Sequence, residues 1–163
     1  MDFDRIREQE RDRARIDTIK ARLRNYGRDM RRYEAEKVKI KIARDRLSIG
    51  ASWSSTDAVK GGGSSQEDLQ VKIIDKIDES CRRMKIIELE NRAMKMAIDD
   101  LDDDKRFIVD HMWIAPEGER LSFRKAGERM NLSKSTVQRL SDDALLYIFE
   151  RLYLIEGGEV DVR

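Results

Sequence analysis

Apolar residues recur through the first third of the chain at alternating intervals of three and four. They are Ile16, Ile19, Leu23, Tyr26, Met30, Tyr33, Ile40 and Leu47, with Lys37 and Arg44 at the two remaining positions of the series. That spacing keeps one stripe of a helix facing a partner, as in a coiled-coil seam. It predicts a helix over 15–48 that reaches upstream toward residue 4. There Asp4–Arg7, Glu8–Arg11, Glu10–Arg13 and Asp12–Arg15 stand three residues apart, each pair adding a few tenths of a kcal/mol. Gly27 falls mid-helix and costs up to ~1 kcal/mol relative to Ala.

A second seam follows: Ile73, Ile77, Ser80, Met84, Ile87, Asn91, Met94, Ile98 and Leu101. A polar Asn at a seam position lowers stability but fixes register and partner number. Between the seams, the small and Gly/Ser residues from Gly50 to Ser65 predict a flexible linker, about 22 Å in mean span, that lets the chain turn back. Ser64 and Glu67 have capping-box spacing for the second helix. Two stripes of similar length joined by such a linker predict an antiparallel pair, within one chain or between two.

The last third changes character. Phe107, Ile108, Met112, Trp113 and Ile114 are followed by Leu121, Phe123, Ala126, Met130, Leu132, Val137, Leu140, Ala144, Leu145, Ile148, Phe149 and Leu152. This stretch is dense enough for a compact helical core. Pro116-Glu117-Gly118 marks a loop within it. The expected fold is therefore all-α: two long, coiled-coil-like helices plus a C-terminal helix-turn-helix. By segment, 1–49 is a basic long helix, 50–65 the linker and 66–101 a long amphipathic helix. Residues 102–156 are the helix-turn-helix domain and 157–163 a frayed tail.

Composition narrows the function classes. Of 163 residues, 41% are charged and 39% apolar, a balance suited to narrow solvated helices rather than one large core. No run approaches the ~20 apolar residues that span a bilayer, and the opening MDFDRIREQERDRAR is unlike a secretory signal. A single cysteine, Cys81, fits a reducing cytosol, so a cytoplasmic protein without membrane association is expected. The net charge of +1 conceals segregation: residues 1–48 carry +6 and residues 66–104 carry −5. The two segments therefore either attract one another or form separate solvated faces.

Little here points to catalysis. His111 is the only histidine and sits beside Trp113 in an apolar-flanked helix. Cys81 reads as a small core residue at the edge of the second seam, and Met84, Met94 and Met96 as core fillers. The Asp99–Asp104 cluster lacks the Gly and distal Glu of a calcium loop, and reads as a solvated turn whose later Asp residues favour the next helix start. No enzyme activity, cofactor, metal or small-molecule substrate is expected.

The chemistry concentrates between Phe123 and Leu140. Residues 122–130 form a first helix, with Gly127 small where two helices cross. Asn131 takes the left-handed turn position, Leu132 plugs the core, Ser133 caps a second helix and Val137 faces inward. Lys134, Ser135, Thr136, Gln138 and Arg139 are then left at the exposed start of that second helix. Arg can read guanine, Gln adenine, and Ser or Thr either bases or phosphates. Arg120, Arg124, Lys125, Arg129 and Ser133 are candidate phosphate contacts. With only Glu128 opposing the bases, residues 120–139 carry +5, the footprint of a polyanion-binding surface.

The stretches Leu101-Asp-Asp-Asp-Lys-Arg-Phe-Ile-Val and Leu121 to Leu140, with Ala144-Leu145, resemble region four of bacterial sigma factors. Gly127 and Asn131 stand where those domains more often carry Ala and Gly. A basic N-terminal helix, a Gly/Ser linker, a middle helix and this domain together resemble the RinA/ArpU-type phage transcriptional regulators. The resemblance implies a cytoplasmic, sequence-specific regulator in a bacterial host that binds double-stranded DNA and activates late or packaging genes. It also implies contact with host RNA polymerase, and the seams offer a surface for a homodimer. A small-terminase-like packaging factor and a coiled-coil adaptor without DNA binding remain alternatives.

Overall fold

In the computed structural model, residues 3–53 and 66–157 are described, with side chains for 4–49 and 67–157. Every regular element among them is helical: α1 Phe3–Trp53, α2 Gln66–Glu90, α3 Arg92–Asp99, α4 Asp103–Ile108, α5 Phe123–Met130 and α6 Lys134–Ile155. A π-helical turn, Val109–Ile114, continues α4, and a 3₁₀ turn covers Glu117–Glu119. No described helix is long and apolar enough to cross a membrane. The first helix runs through Gly50 to Trp53, past the predicted start of the linker. The rest of that linker, the Ser64 half of the capping box and tail residues 158–163 lie outside the described residues.

The chain divides into two compact units, Met30–Glu90 and the residues flanking it on both sides, up to Asp29 and from Asn91. In the Met30–Glu90 unit the second half of α1 and α2 form an antiparallel hairpin. Glu36 of α1 lies against Ser80 and Arg83 of α2, while Ile42 and Arg46 line a groove that reaches Ile73 and Lys76. The two seams thus face each other within one chain here. Ile40 and Ile87 are buried, and so are Glu36 and Ser80. The Glu36 carboxylate sits 2.7 Å from Lys39 Nζ and 3.6 Å from Arg83 Nε, so its pKa falls below the ordinary glutamate value, chiefly through the Lys39 hydrogen bond. Cys81 is exposed rather than a core residue: it stands one position beyond buried Ser80, at the rim of a groove it lines with Tyr33, Ile40 and Met84.

The other unit buries a continuous core. Ile19 and Leu23 of α1 pack with Met94, Ala97, Ile98, Leu101 and Val109, and with Ala144, Leu145, Ile148, Phe149 and Leu152 of α6. Full burial of one such aliphatic side chain stabilises the fold by about 1.5–3 kcal/mol. The second seam therefore carries on past Asn91, but its helix does not. Asn91 takes φ −102° and ψ 4°, separating α2 from α3, while its buried side chain donates to Asp29 Oδ2 at 3.3 Å. Met94 fills the core, but Met96 points outward and is exposed, as its place on the far side of the helix from Met94 and Ile98 requires.

Gly27 explains itself in the same unit. A Cβ there would collide with the carbonyl oxygen of Ile114 and lie 3.1 Å from both its carbonyl carbon and its Cγ2. The glycine lets α1 approach the π turn. Lys20 Nζ, 5.0 Å from the centre of the Trp113 ring, ties α1 to that turn, and Trp113 Nε1 in turn donates to Ser141 Oγ of α6 at 3.1 Å. Arg22 makes a two-pronged ion pair with Glu156 beyond the end of α6. The aspartate cluster closes α3 and opens α4: Asp102 Oδ1 accepts from Lys105 N at 2.9 Å. No group of residues with metal-binding arrangement occurs among the described residues.

Candidate nucleic-acid interface

The α5–α6 corner is built by two side-chain caps and one left-handed residue. Ser122 caps α5, its hydroxyl accepting from Lys125 N at 3.3 Å, and Ser133 caps α6 by accepting from Thr136 N at 3.1 Å. Between them Asn131 adopts φ 56° and ψ 39°, a region where a short polar side chain is tolerated and most others are not. Leu132 N then donates to Gly127 O at 2.9 Å. A Cβ on Gly127 would lie 2.6 Å from Leu132 O and 3.6 Å from Val137 Cγ2. The close approach is thus to the turn's own backbone rather than to a crossing helix.

Beneath the corner, Ile108, Met112, Ala126 and Val137 form a small buried cluster. Trp113, Leu121, Phe123, Met130, Leu132 and Leu140 close over it. Val137 and Ser141 are completely buried, and this fixes the rotation of α6. With that face inward, Lys134, Ser135, Gln138 and Arg139 are exposed and Thr136 is half-buried. The helix does not stop after this edge. It continues to Ile155, and its later turns supply Ala144, Leu145, Ile148, Phe149 and Leu152 to the main core.

The hydroxyls are partly engaged. Ser133 Oγ lies 2.9 Å from Ser135 Oγ and 2.8 Å from Thr136 Oγ1, so all three share one network at the helix start. Among the candidate phosphate contacts, Lys125 and Arg129 are exposed. Arg124 is highly exposed and pairs with Glu128 one turn on, at 3.1 Å. Arg120 is half-buried, and its Nε donates to Ala115 O at 2.9 Å, which braces the 3₁₀ turn. Asp142 lies beyond Arg139, its pKa raised by burial and partly offset by Lys20.

His111 belongs to this region but not to the exposed edge. Its ring stacks on Phe107 at 4.2 Å between centroids, and its Nδ1 lies 2.9 Å from Phe107 O. Leu121 N donates to His111 O at 2.9 Å, fastening the segment before α5 to the π turn. The sequence reading missed Arg120's bracing bond and the linked hydroxyls. Neither leaves a periodic signal, since both depend on how the 3₁₀ turn and the cap are folded. Comparison with known proteins returns no match among family models, curated proteins or solved structures.

Proposed function

We propose that α5 and α6 form a helix-turn-helix, and that the chain is a sequence-specific regulator of transcription acting on double-stranded DNA. The observation that carries this reading is the polar start of α6. Lys134, Ser135, Gln138 and Arg139 are exposed directly above buried Val137. A helix held from below with such residues outward suits insertion into a major groove, where Arg and Gln discriminate base edges. Lys125, Arg129 and Arg124 flank it on α5, where phosphate contacts set orientation without reading sequence. The linked Ser133, Ser135 and Thr136 hydroxyls lie at the α6 N-terminus, a position that also favours a phosphate. By its resemblance to sigma region four and to RinA/ArpU-type regulators, the activity is activation of phage late or packaging genes in the bacterial cytoplasm, with host RNA polymerase as the protein partner.

The test is a mobility-shift titration on the selected site and on a scrambled duplex. Arg139→Ala should lose about 1–3 kcal/mol on the selected site only, while Lys125→Ala should weaken both duplexes alike. Equal loss on both duplexes for Arg139→Ala would reject base reading. Absence of binding to any duplex at moderate salt would leave a helical adaptor.

A further inference from the structure

The Met30–Glu90 hairpin has a thin interior and an apolar exterior. Among its described side chains Ile40 and Ile87 are the buried aliphatic ones, while Val71, Ile74, Ile86 and Leu89 of α2 stand about half exposed. These four are not scattered. With Asp78 and Arg82 they follow a 3-4-4-4-3 spacing that keeps all six within an arc of about 120° on the helix surface. The arc lies opposite Ile73, Ile77, Ser80, Met84 and Ile87, the face of α2 that meets α1.

The order of residues along this outward face carries the argument. Apolar pairs occupy both ends, Val71 with Ile74 and Ile86 with Leu89. The centre is charged, with Asp75 and Asp78 before Ser80 and Arg82 and Lys85 after it. Reversing the helix about Ser80 exchanges Val71 with Leu89, Ile74 with Ile86, and Asp78 with Arg82. The face is therefore complementary to itself when antiparallel, the requirement for an isologous two-fold contact. In a parallel pairing the same face would put acid against acid and base against base. The outward face of α1 lacks this property. Val38 and Ile49 are also exposed, but they are not arranged as apolar ends about a charged centre.

We infer that the outward face of α2 docks antiparallel onto the same face of a second copy of this chain, forming a two-fold dimer in which Asp78 meets the partner's Arg82. The surface differs from the seams, which the hairpin uses internally. The inference does not rest on DNA binding, and its test contains no DNA, so either can fail alone.

Sedimentation velocity and light scattering on the full chain across a concentration series should give twice the chain mass. Asp78→Arg and Arg82→Asp, made singly, should each weaken the dimer by about tenfold or more, because each juxtaposes like charges twice. The double reversal in one chain should restore it, since antiparallel copies then pair base with acid again. Ile74→Glu with Ile86→Glu should give a monomer with wild-type helix content by circular dichroism. A wild-type chain monomeric at every concentration overturns the inference. So does a dimer indifferent to the single reversals, or one that the double reversal fails to restore.

Discussion

Gly27→Ala separates two accounts of the first helix by the sign of its effect. On local grounds the substitution stabilises, because Ala is better than Gly in a helix interior by about 1 kcal/mol. The structure opposes this. The added methyl collides with the Ile114 carbonyl oxygen and would lie 3.1 Å from the Ile114 carbonyl carbon and Cγ2. Carbon–carbon contacts are optimal near 3.5–4.0 Å, so α1 and the π turn must separate by something on the order of 1 Å. Backbone has no rotamer with which to yield. Separation also loosens Ile19 and Leu23, both completely buried in the main core. Overpacking of this kind costs about 1–3 kcal/mol, so after the local gain of about 1 kcal/mol the net effect is a loss of up to about 2 kcal/mol. Urea denaturation followed by circular dichroism should show a lower midpoint at unchanged slope, and the melting temperature should fall by up to roughly 8 °C. Gly118→Ala is the control: nothing lies within 4 Å of a Cβ there, and its effect should stay within about 0.5 kcal/mol. A Gly27→Ala protein more stable than wild type would refute the close approach of α1 to Ile114.

Three further outcomes are expected. Asn131→Ala should cost about 1 kcal/mol in denaturant because an Ala side chain strains at φ 56°, whereas Asn131→Gly should be neutral within about 0.5 kcal/mol. Trp113→Phe removes the donor to completely buried Ser141 Oγ and should cost about 1–3 kcal/mol in thermal or urea unfolding. Glu36→Gln should flatten the acid side of the stability profile. The Glu36 pKa is lowered in the fold, so its contribution is full above the unfolded value near 4.5 and is lost as pH falls through the lower folded value. Denaturation midpoints at pH 6 and pH 3 should therefore differ less for the variant than for wild type, and an unchanged difference would remove Glu36 from the account.

The seams were legible because burial repeats with helical period: Ile19, Leu23, Ile40, Ile87, Met94, Ile98 and Leu101 all lie inside. The break at Asn91 was not: no Gly or Pro stands beside it to announce one, and the partner of its side chain, Asp29, is far away in sequence. Cys81 and Met96 show the resolution of such patterns. Each stands near a buried position, and one step of 100° around a helix carries a side chain from core to solvent. At the corner, Ser133, Val137 and the left-handed Asn131 could be read in advance, since caps and turns have local chemical signatures. The role of Gly27 could not, because composition alone cannot distinguish a weak point from a close approach.

The length of α6 has a further consequence. One uninterrupted helix carries the exposed residues from Lys134 to Arg139 and also Leu145, Ile148 and Leu152, which are completely buried. Its first turns are therefore held by the tertiary packing of its last. Whatever docks on that edge meets a scaffold already in shape, and little backbone freedom is given up on contact. Recognition there should cost side-chain rotamers rather than folding, leaving more of each contact's free energy to appear as affinity.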